Sequence, residues 1–466
     1  MTKGAPALAL LWIISGVFLV LLLGNPPVER TQEARVLETA REMKDQPLRG
    51  WLIPTLNGQM RLQKPPLTYW MSAAAFRIGG VSEFTGRLPT ALIGWFTIAV
   101  TFWIARWLFD DVTALISAAI LTSSYAFFRF TRLAETDAPA MAGVTLAIGA
   151  FARVLYSSGA AQARGIFSRA ADIGWFYLAA LGIFIAALSK GPPAIFPVMF
   201  LVAAVIATKQ YRALVRFIVC GAGPVALILS LAWFAYIIHT IGLKTFRSEL
   251  SVAVEGEDHG GSALLYIPYL AIATLPWTPV LIIALIQAIR RWREENVKLV
   301  LIWFAAILLP LCIAGNKQPH YLMPLMPACA VLMGWGVSHM LKRAVLYEPK
   351  IIAAAASVTV LMLIGIGWWY PSTRNNNPRS IARKIQAKFG DGPYVFFGPE
   401  QSLPLCFAMR REIPRIGKAE ELARKRASGL VVICKTRKDI PALLDGFEHE
   451  MHITTEEHNF EVYRAK

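Results

Sequence analysis

Residues 264–289 read LLYIPYLAIATLPWTPVLIIALIQAI and contain no charged side chain. A helix needs about 20 consecutive, mostly apolar residues to cross the hydrocarbon of a bilayer. Arg290, Arg291, Arg293 and Lys298 follow this run, and such basic residues are typical of the cytoplasmic end of a membrane segment. The stretch therefore predicts a membrane protein.

The composition of the whole chain agrees with this prediction. Of its 466 residues, 56% are hydrophobic and 17% are charged, whereas soluble domains contain about 45–50% and about 25%. The net charge of +17 lies largely between apolar blocks, where it serves membrane topology and contacts with lipid phosphates. We therefore expect membrane lipid, and no nucleic acid, as a partner.

Hydrophobic patterning predicts about eleven transmembrane helices. Besides the stretch at 264–289, apolar blocks lie at 7–23, 88–108, 112–128, 138–155, 175–188, 194–208, 217–238, 299–313, 321–340 and 351–369. With the N-terminus inside, the short cytoplasmic loops hold most of the basic residues, as the positive-inside rule requires. The first loop and the C-terminus are then outside the cytoplasm, which indicates a multi-pass protein of the inner (plasma) membrane.

Two domains are expected, and together they define the fold class. Residues 1–370 form an all-α polytopic membrane domain, and residues 25–87 are its first external loop. That loop contains an interfacial helix at 34–43 and a second one from Pro65 to Gly80. Residues 371–466 have soluble character, with strands at 394–397 and 430–434 and helices at 419–426 and 440–444, which predicts a small extracytoplasmic α/β domain.

Polar residues gather at the outer ends of the predicted membrane segments. They are Glu33, Lys64, Glu135, Asp137, Lys190, Lys317, His320 and Tyr321. Singly, each is more often a solvated or snorkelling side chain than part of a site. Together, cations that hold a lipid phosphate and a carboxylate that accepts a proton suggest chemistry on a phosphate-bearing lipid. The residues alone leave sugar transfer, transport and phosphate hydrolysis open.

A family resemblance appears in the motifs that carry these residues. They are TQEARVLETAREM (31–43), WLIPTLNG (51–58), QKPPLTYW (63–70), EFTGRLP (83–89), ETDAP (135–139), LSKGP (188–192), LPW (275–277) and KQPHYLMP (317–324). In order and spacing, this set resembles the bacterial lipid A aminoarabinose transferase and protein O-mannosyltransferase superfamily. These proteins are GT-C glycosyltransferases, and the resemblance covers nearly all of the membrane region.

The resemblance implies an enzyme that transfers a sugar, with inversion, from a polyprenyl-phosphate carrier to an extracytoplasmic acceptor. The acceptor would be a lipid such as lipid A, a glycan or a protein of the cell envelope. By motif position, Glu33 and Asp137 are the catalytic acids. Lys64 and Tyr321 contact the carrier lipid, and Lys317 and His320 are further candidates for binding its phosphate.

Two positions differ from the family pattern. Gln32 stands where the family has its first aspartate, and Gln63 stands where the aminoarabinose transferase has a glutamate that binds a metal. An amide is a poorer ligand for a hard metal ion than a carboxylate, so the cofactor stays unknown, with a divalent metal as one candidate. A transporter or flippase for a lipid-linked sugar is the alternative function.

Overall fold

The computed structural model describes residues 5–158, 170–255, 261–344, 357–358, 360–362, 364–365, 377–398, 401–425, 429–435, 444, 446–454 and 459–465. Its N-terminal helices are α1 Ala5–Val20, α2 Thr31–Met43, α3 Leu48–Leu52, α4 Leu67–Gly79, α5 Glu83–Leu108, α6 Asp111–Thr122, α7 Tyr125–Thr131, α8 Asp137–Ser158 and α9 Ala170–Lys190. The next are α10 Ile195–Thr208, α11 Tyr211–Val219, α12 Ala222–Ile241, α13 Leu243–Glu255, α14 Tyr266–Ala273, α15 Thr278–Arg290, α16 Glu295–Ile313 and α17 Met326–Ala344. The C-terminal helices are α18 Pro378–Phe389, α19 Leu403–Met409 and α20 Ala419–Arg424.

Within the described residues, six helices are long and apolar enough to cross a membrane, or up to eight if each of two bent pairs counts as one span. The predicted multi-pass membrane fold is confirmed at this level. The predicted block at 351–369 falls mostly outside the described residues, as does most of the predicted helix at 440–444. The count of eleven therefore stays a prediction.

Three predicted blocks are interrupted. The block at 112–128 is the pair α6 and α7, bent by 63° where the hydroxyls of Ser123 and Ser124 donate to helix carbonyls, a bond that often bends helices. The block at 264–289 is the pair α14 and α15, which is bent by 117° next to Pro276. This proline lacks a backbone N–H. The block at 217–238 starts instead at Ala222, after Gly221 with a φ of 87°.

The described chain divides into two compact units. The first comprises Met1–Leu21, Leu62–Thr68 and Leu88–Ile364, and the second comprises Leu22–Arg61, Tyr69–Arg87 and Gly365–Lys466. In the first unit, α8 packs along α9, and α6 packs against α17. Its core is aliphatic and aromatic, and it includes the fully buried Phe151, Phe176 and Trp303.

The second unit contains a five-stranded sheet. Strands β3 Tyr394–Phe397, β4 Arg415–Ile416, β5 Val431–Lys435, β6 Phe447–Thr454 and β7 Asn459–Ala465 lie in the order β4-β3-β5-β7-β6. Strand β3 is parallel to β4 and β5, and the pairs β5–β7 and β7–β6 are antiparallel. The two strands predicted in this region are confirmed, whereas a separate soluble domain at 371–466 stays a prediction.

Part of the first loop belongs to this second unit. Strands β1 Thr55–Leu56 and β2 Gln59–Met60 form a hairpin whose turn residues, Asn57 and Gly58, have φ of 53° and 75°, as a type I′ turn requires. The Asn57 side chain accepts from the Ile413 backbone N–H at 2.8 Å and donates to its carbonyl at 2.6 Å. Helices α2 and α4 lie at the two helical segments predicted in this loop, while their position at the membrane interface stays a prediction.

Candidate functional site

The close packing of two helices in the first unit positions the candidate site. A Cβ on Gly143 of α8 would lie 2.6 Å from the carbonyl oxygen of Gly182 of α9, so both glycines are needed for the backbones to approach. Helix α8 begins at Asp137, and α9 ends at Lys190. The helices are antiparallel, and the start of α8 therefore meets the end of α9.

Asp137 and Lys190 form a buried ion pair at this junction. The Lys190 Nζ lies 2.6 Å from the Asp137 Oδ1, with side-chain exposures of 13% and 5%. An acidic residue in the first turn and a basic residue in the last turn also complement the dipoles of their helices. Gly191, with a φ of 83°, ends α9 immediately after the lysine.

Three predicted site residues surround this pair. The Lys190 Nζ lies 4.4 Å from the centroid of the Tyr321 ring, and the rings of His320 and Tyr321 are 4.8 Å apart. The side chains of His320 and Lys64 also lie near the Asp137 carboxylate. A carboxylate thus lies beside lysine side chains and an aromatic ring, an arrangement that can hold a phosphate group next to an acid.

Lys317 has a different surrounding in the same unit. It donates to the Ala314 carbonyl oxygen, and its Nζ lies 5.9 Å from the centroid of the Tyr266 ring. It is 5% exposed. Its charge is therefore held by the loop that precedes His320, without a described contact to Asp137.

Glu33 belongs to the second unit, where it pairs with Arg87. The Arg87 Nε lies 2.6 Å from Glu33 Oε1 and its Nη2 lies 2.8 Å from Oε2. Arg87 and Glu33 are only 2% and 1% exposed. The guanidinium also donates to the carbonyl oxygens of Leu23, Pro26 and Pro27. This bidentate geometry fixes the chain before α2 to the start of α5.

The structure brings together Asp137, Lys64, His320 and Tyr321, four of the six predicted site residues. Lys190 was predicted only as one of the polar residues at the outer ends of the membrane segments, and Arg87 was not predicted as a site residue, although both lie in the quoted motifs. A lysine at the last residue of an apolar helix and an arginine next to the start of an apolar block are the signals for them, because such charges need partners.

A divalent metal does not fit the residues present. In the described parts of the chain, no three His, Cys, Asp or Glu residues come together as a metal-binding group. Gln63 contributes a neutral amide, which is a poorer ligand for a hard metal ion than a carboxylate.

The comparisons first define the class of protein. The family model of dolichyl-phosphate-mannose-protein mannosyltransferase matches residues 63–236. The structure resembles ArnT from Cupriavidus metallidurans bound to undecaprenyl phosphate, with a TM-score of 0.83, 16% identity, and 99% of this chain and 98% of that chain covered. The chain therefore has a GT-C-like membrane fold, and the resemblance found in its motifs is confirmed.

Individual proteins of similar sequence include one with a named activity. An undecaprenyl phosphate-alpha-4-amino-4-deoxy-L-arabinose arabinosyl transferase from Yersinia enterocolitica is 25% identical over 394 residues, 78% of this chain and 66% of that protein. An uncharacterized protein from Aquifex aeolicus is 29% identical over 296 residues, 60% of this chain and 54% of that protein. The chain thus matches less than two thirds of the length of these relatives.

Proposed function

We propose that this chain is an integral-membrane glycosyltransferase. It takes a sugar from a polyprenyl-phosphate carrier and transfers it, with inversion, to an extracytoplasmic lipid, glycan or protein. The observation that carries the proposal is the group formed by Asp137, Lys190, Tyr321, His320 and Lys64. The undecaprenyl phosphate bound to the similar ArnT structure supports the same donor class.

In this proposal the phosphate of the donor is held by cations and aromatic donors. The carrier lipid is bound by Lys64, Lys317, His320 and Tyr321. The positive charge of the two lysines stabilises the negative charge that develops on the departing phosphate. An acceptor oxygen forms a bond to the anomeric carbon of the sugar. The bond from that carbon to the phosphate oxygen breaks, and polyprenyl phosphate leaves with the electron pair.

The proton of the acceptor goes to a carboxylate. Glu33 and Asp137 are the two carboxylates proposed as the catalytic base, since a positioned carboxylate accelerates such a step by about 10²–10⁴-fold. Asp137 is supported by its position beside Lys190, which can hold the donor phosphate close to the carboxylate, and Glu33 by its place in the motif of the first loop. Their different partners, Lys190 and Arg87, make the two roles separable by experiment.

A flippase receives less support. Transporters carry their sites at interrupted helices near the middle of the membrane. The two bent pairs break at Ser123 and Ser124 and next to Pro276, which are uncharged residues. The ion pair of Asp137 and Lys190 instead lies at helix ends.

The finer topology is part of the same proposal. Eleven spans in the inner membrane would place the active site and the C-terminal α/β domain outside the cytoplasm, as the basic residues of the predicted cytoplasmic loops indicate. Reporter fusions in the first loop and after Lys466 should both show activity outside the cytoplasm. Cytoplasmic activity at either position would overturn the arrangement.

Donor binding tests the function most directly. Lys64→Ala should weaken binding of a polyprenyl-phosphate sugar by roughly 10- to 100-fold, the effect of losing a hydrogen bond between charged groups. Lys298→Ala is the matched control, because it removes the same charge from a half-buried lysine on a predicted cytoplasmic loop. Donor affinity and sugar transfer to isolated envelope lipids, glycans and proteins would be measured by mass spectrometry. Equal donor affinity in both variants would refute the role of Lys64.

A further inference from the structure

A second feature of the first unit is an apolar groove far from Asp137. It encloses about 360 Å³ between α5, α8 and α9, and its lining includes Trp103, Trp107, Gly149 and Trp175. This volume is within the roughly 300–1,000 Å³ typical of sites for small molecules. Gly149 follows Asp137 by twelve residues on α8, which at 1.5 Å per residue is about 18 Å along the helix. The groove therefore lies towards the opposite end of the same helices.

Two arginines lie on the tryptophans of this groove. The guanidinium carbon of Arg106 is 5.1 Å from the centroid of the Trp103 ring, and that of Arg153 is 5.9 Å from the Trp107 ring. The rings of Trp107 and Trp175 meet edge to face, with centroids 5.1 Å apart. Stacking on the rings fixes the position of both positive charges beside the apolar groove.

One of these arginines has an acidic partner at the exposed start of α6. Arg106 pairs with Asp111 at 2.5 Å, with side-chain exposures of 39% and 59%. Exposed ion pairs of this kind contribute little, so an anionic ligand can compete for the guanidinium. Arg153 adds a second positive charge at the groove. Tryptophan and arginine together are typical of the membrane interface, where one end of a ligand is apolar and the other is ionic.

We propose that this groove binds an anionic phospholipid of the membrane leaflet at that end of the bundle. One acyl chain lies along Trp103, Trp107 and Trp175, and the phosphodiester binds Arg106 and Arg153. Arginine suits this role because its planar guanidinium donates two hydrogen bonds to one phosphate. The site is separate from the proposed donor site and does not depend on the proposed transfer activity.

Charge complementarity selects this occupant over a neighbouring transmembrane helix. A helix partner would present an apolar surface and would offer no phosphate to the guanidinium groups. A zwitterionic phospholipid offers the same phosphodiester but adds a cation next to the arginines. A phospholipid with a net negative charge satisfies both the apolar groove and the arginines.

Native mass spectrometry of the purified full-length chain tests the proposal, with phosphatidylglycerol and phosphatidylcholine as probes. We expect tighter binding of one phosphatidylglycerol by the wild-type chain. Arg106→Gln with Arg153→Gln should weaken that binding by roughly tenfold or more, since hydrogen bonds to charged groups are lost. Arg290→Gln with Arg293→Gln is the matched control, because both arginines are exposed and lie outside the groove. Equal affinity for both lipids, or no effect of the first double variant, would overturn the proposal.

A groove-filling variant separates the acyl chain from the headgroup. Val100 lines the groove, and Val100→Trp should reduce phosphatidylglycerol binding while both arginines remain. The thermal unfolding midpoint of each variant would show that the chain still folds. Undiminished binding in a folded Val100→Trp chain would show that the lipid does not enter the groove.

Discussion

Two buried carboxylates in the two units have different partners. Glu33 is held by the guanidinium of Arg87 through both oxygens, and that guanidinium also donates to three backbone carbonyls. Asp137 pairs through Oδ1 with Lys190, whose ammonium also contacts the ring of Tyr321. The Arg87 side chain is 2% exposed and that of Lys190 is 13% exposed.

This difference separates positioning from chemistry. A rigid bidentate arginine pair with satisfied carbonyls holds a loop in place and has little freedom to rearrange. An ammonium on a flexible stem can move between a carboxylate, an aromatic ring and an incoming phosphate. We therefore expect Glu33 to contribute strongly to folding in addition to its proposed catalytic role, and Asp137 to contribute mainly to the reaction.

The largest effect is expected for Glu33→Gln. Breaking a buried ion pair leaves Arg87 with an uncompensated charge, which costs about 3–5 kcal/mol. Transfer should also fall by about 10²–10⁴-fold if the carboxylate is the base. Thermal unfolding and single-turnover transfer measure the two effects separately.

Glu83→Gln is the matched control for this variant. Glu83 pairs with Arg379 in the same unit at 2.7 Å, but the two side chains are 17% and 33% exposed. Its loss should cost no more than about 1 kcal/mol. An unfolding midpoint of Glu33→Gln equal to that of the control would contradict the structural role. Normal transfer by folded Glu33→Gln would remove Glu33 from the chemistry.

Asp137→Asn should reduce transfer by a similar factor of about 10²–10⁴ with a smaller loss of stability. Lys190 keeps its contact with the ring of Tyr321, and its partial exposure lets water solvate the charge. The measurements are the same two as for Glu33→Gln. If Asp137→Asn abolishes transfer and Glu33→Gln does not, Asp137 is the base. If neither variant affects transfer, the acids are not part of a glycosyl transfer.

The sequence predicts a multi-pass membrane fold because long uncharged runs have few alternatives to the bilayer. The interruptions at Ser123, Ser124 and Pro276 are harder to predict, since serine and proline also occur within continuous membrane helices. The pairing of Asp137 with Lys190 depends on the close approach of α8 and α9 at Gly143. Asp137 and Lys190 are 53 positions apart in the chain, and no local sequence pattern encodes the approach of their two helices.

Glu33 shows the same limit. Its motif predicts an acid in the first loop, but its partner Arg87 is 54 positions away. Hydrophobic patterning predicts α2 and α5 as separate helices, but it does not predict which of their residues contact each other. The sequence therefore proposes two candidate acids and leaves open which cation holds each of them.

A third buried carboxylate, Glu42, extends the comparison to an acid held by neutral donors. It accepts from the Thr55 hydroxyl at 2.7 Å and from the backbone N–H groups of Asn57 and Gly58. Burial raises the pKa of Glu42 above its usual 4.5, against the effect of these hydrogen bonds. The folded chain therefore binds this proton more tightly than the unfolded chain does.

The sign of the pH effect follows from this difference. As the pH rises from 4.5 through the raised pKa, the folded state gives up its proton at a cost that the unfolded state does not have. The free energy of unfolding falls over that window.

Glu42→Gln should flatten this fall in thermal unfolding of the full chain, and the effect should be the smallest of the three. Glu38, whose pKa is also raised by burial, will keep part of the slope, so Glu38→Gln with Glu42→Gln should flatten it further. Glu450→Gln is a control of opposite sign, because the hydrogen bond from Lys388 lowers the pKa of Glu450. A slope unchanged in Glu42→Gln would show that the hairpin turn donors stabilise the charged form as well as water does.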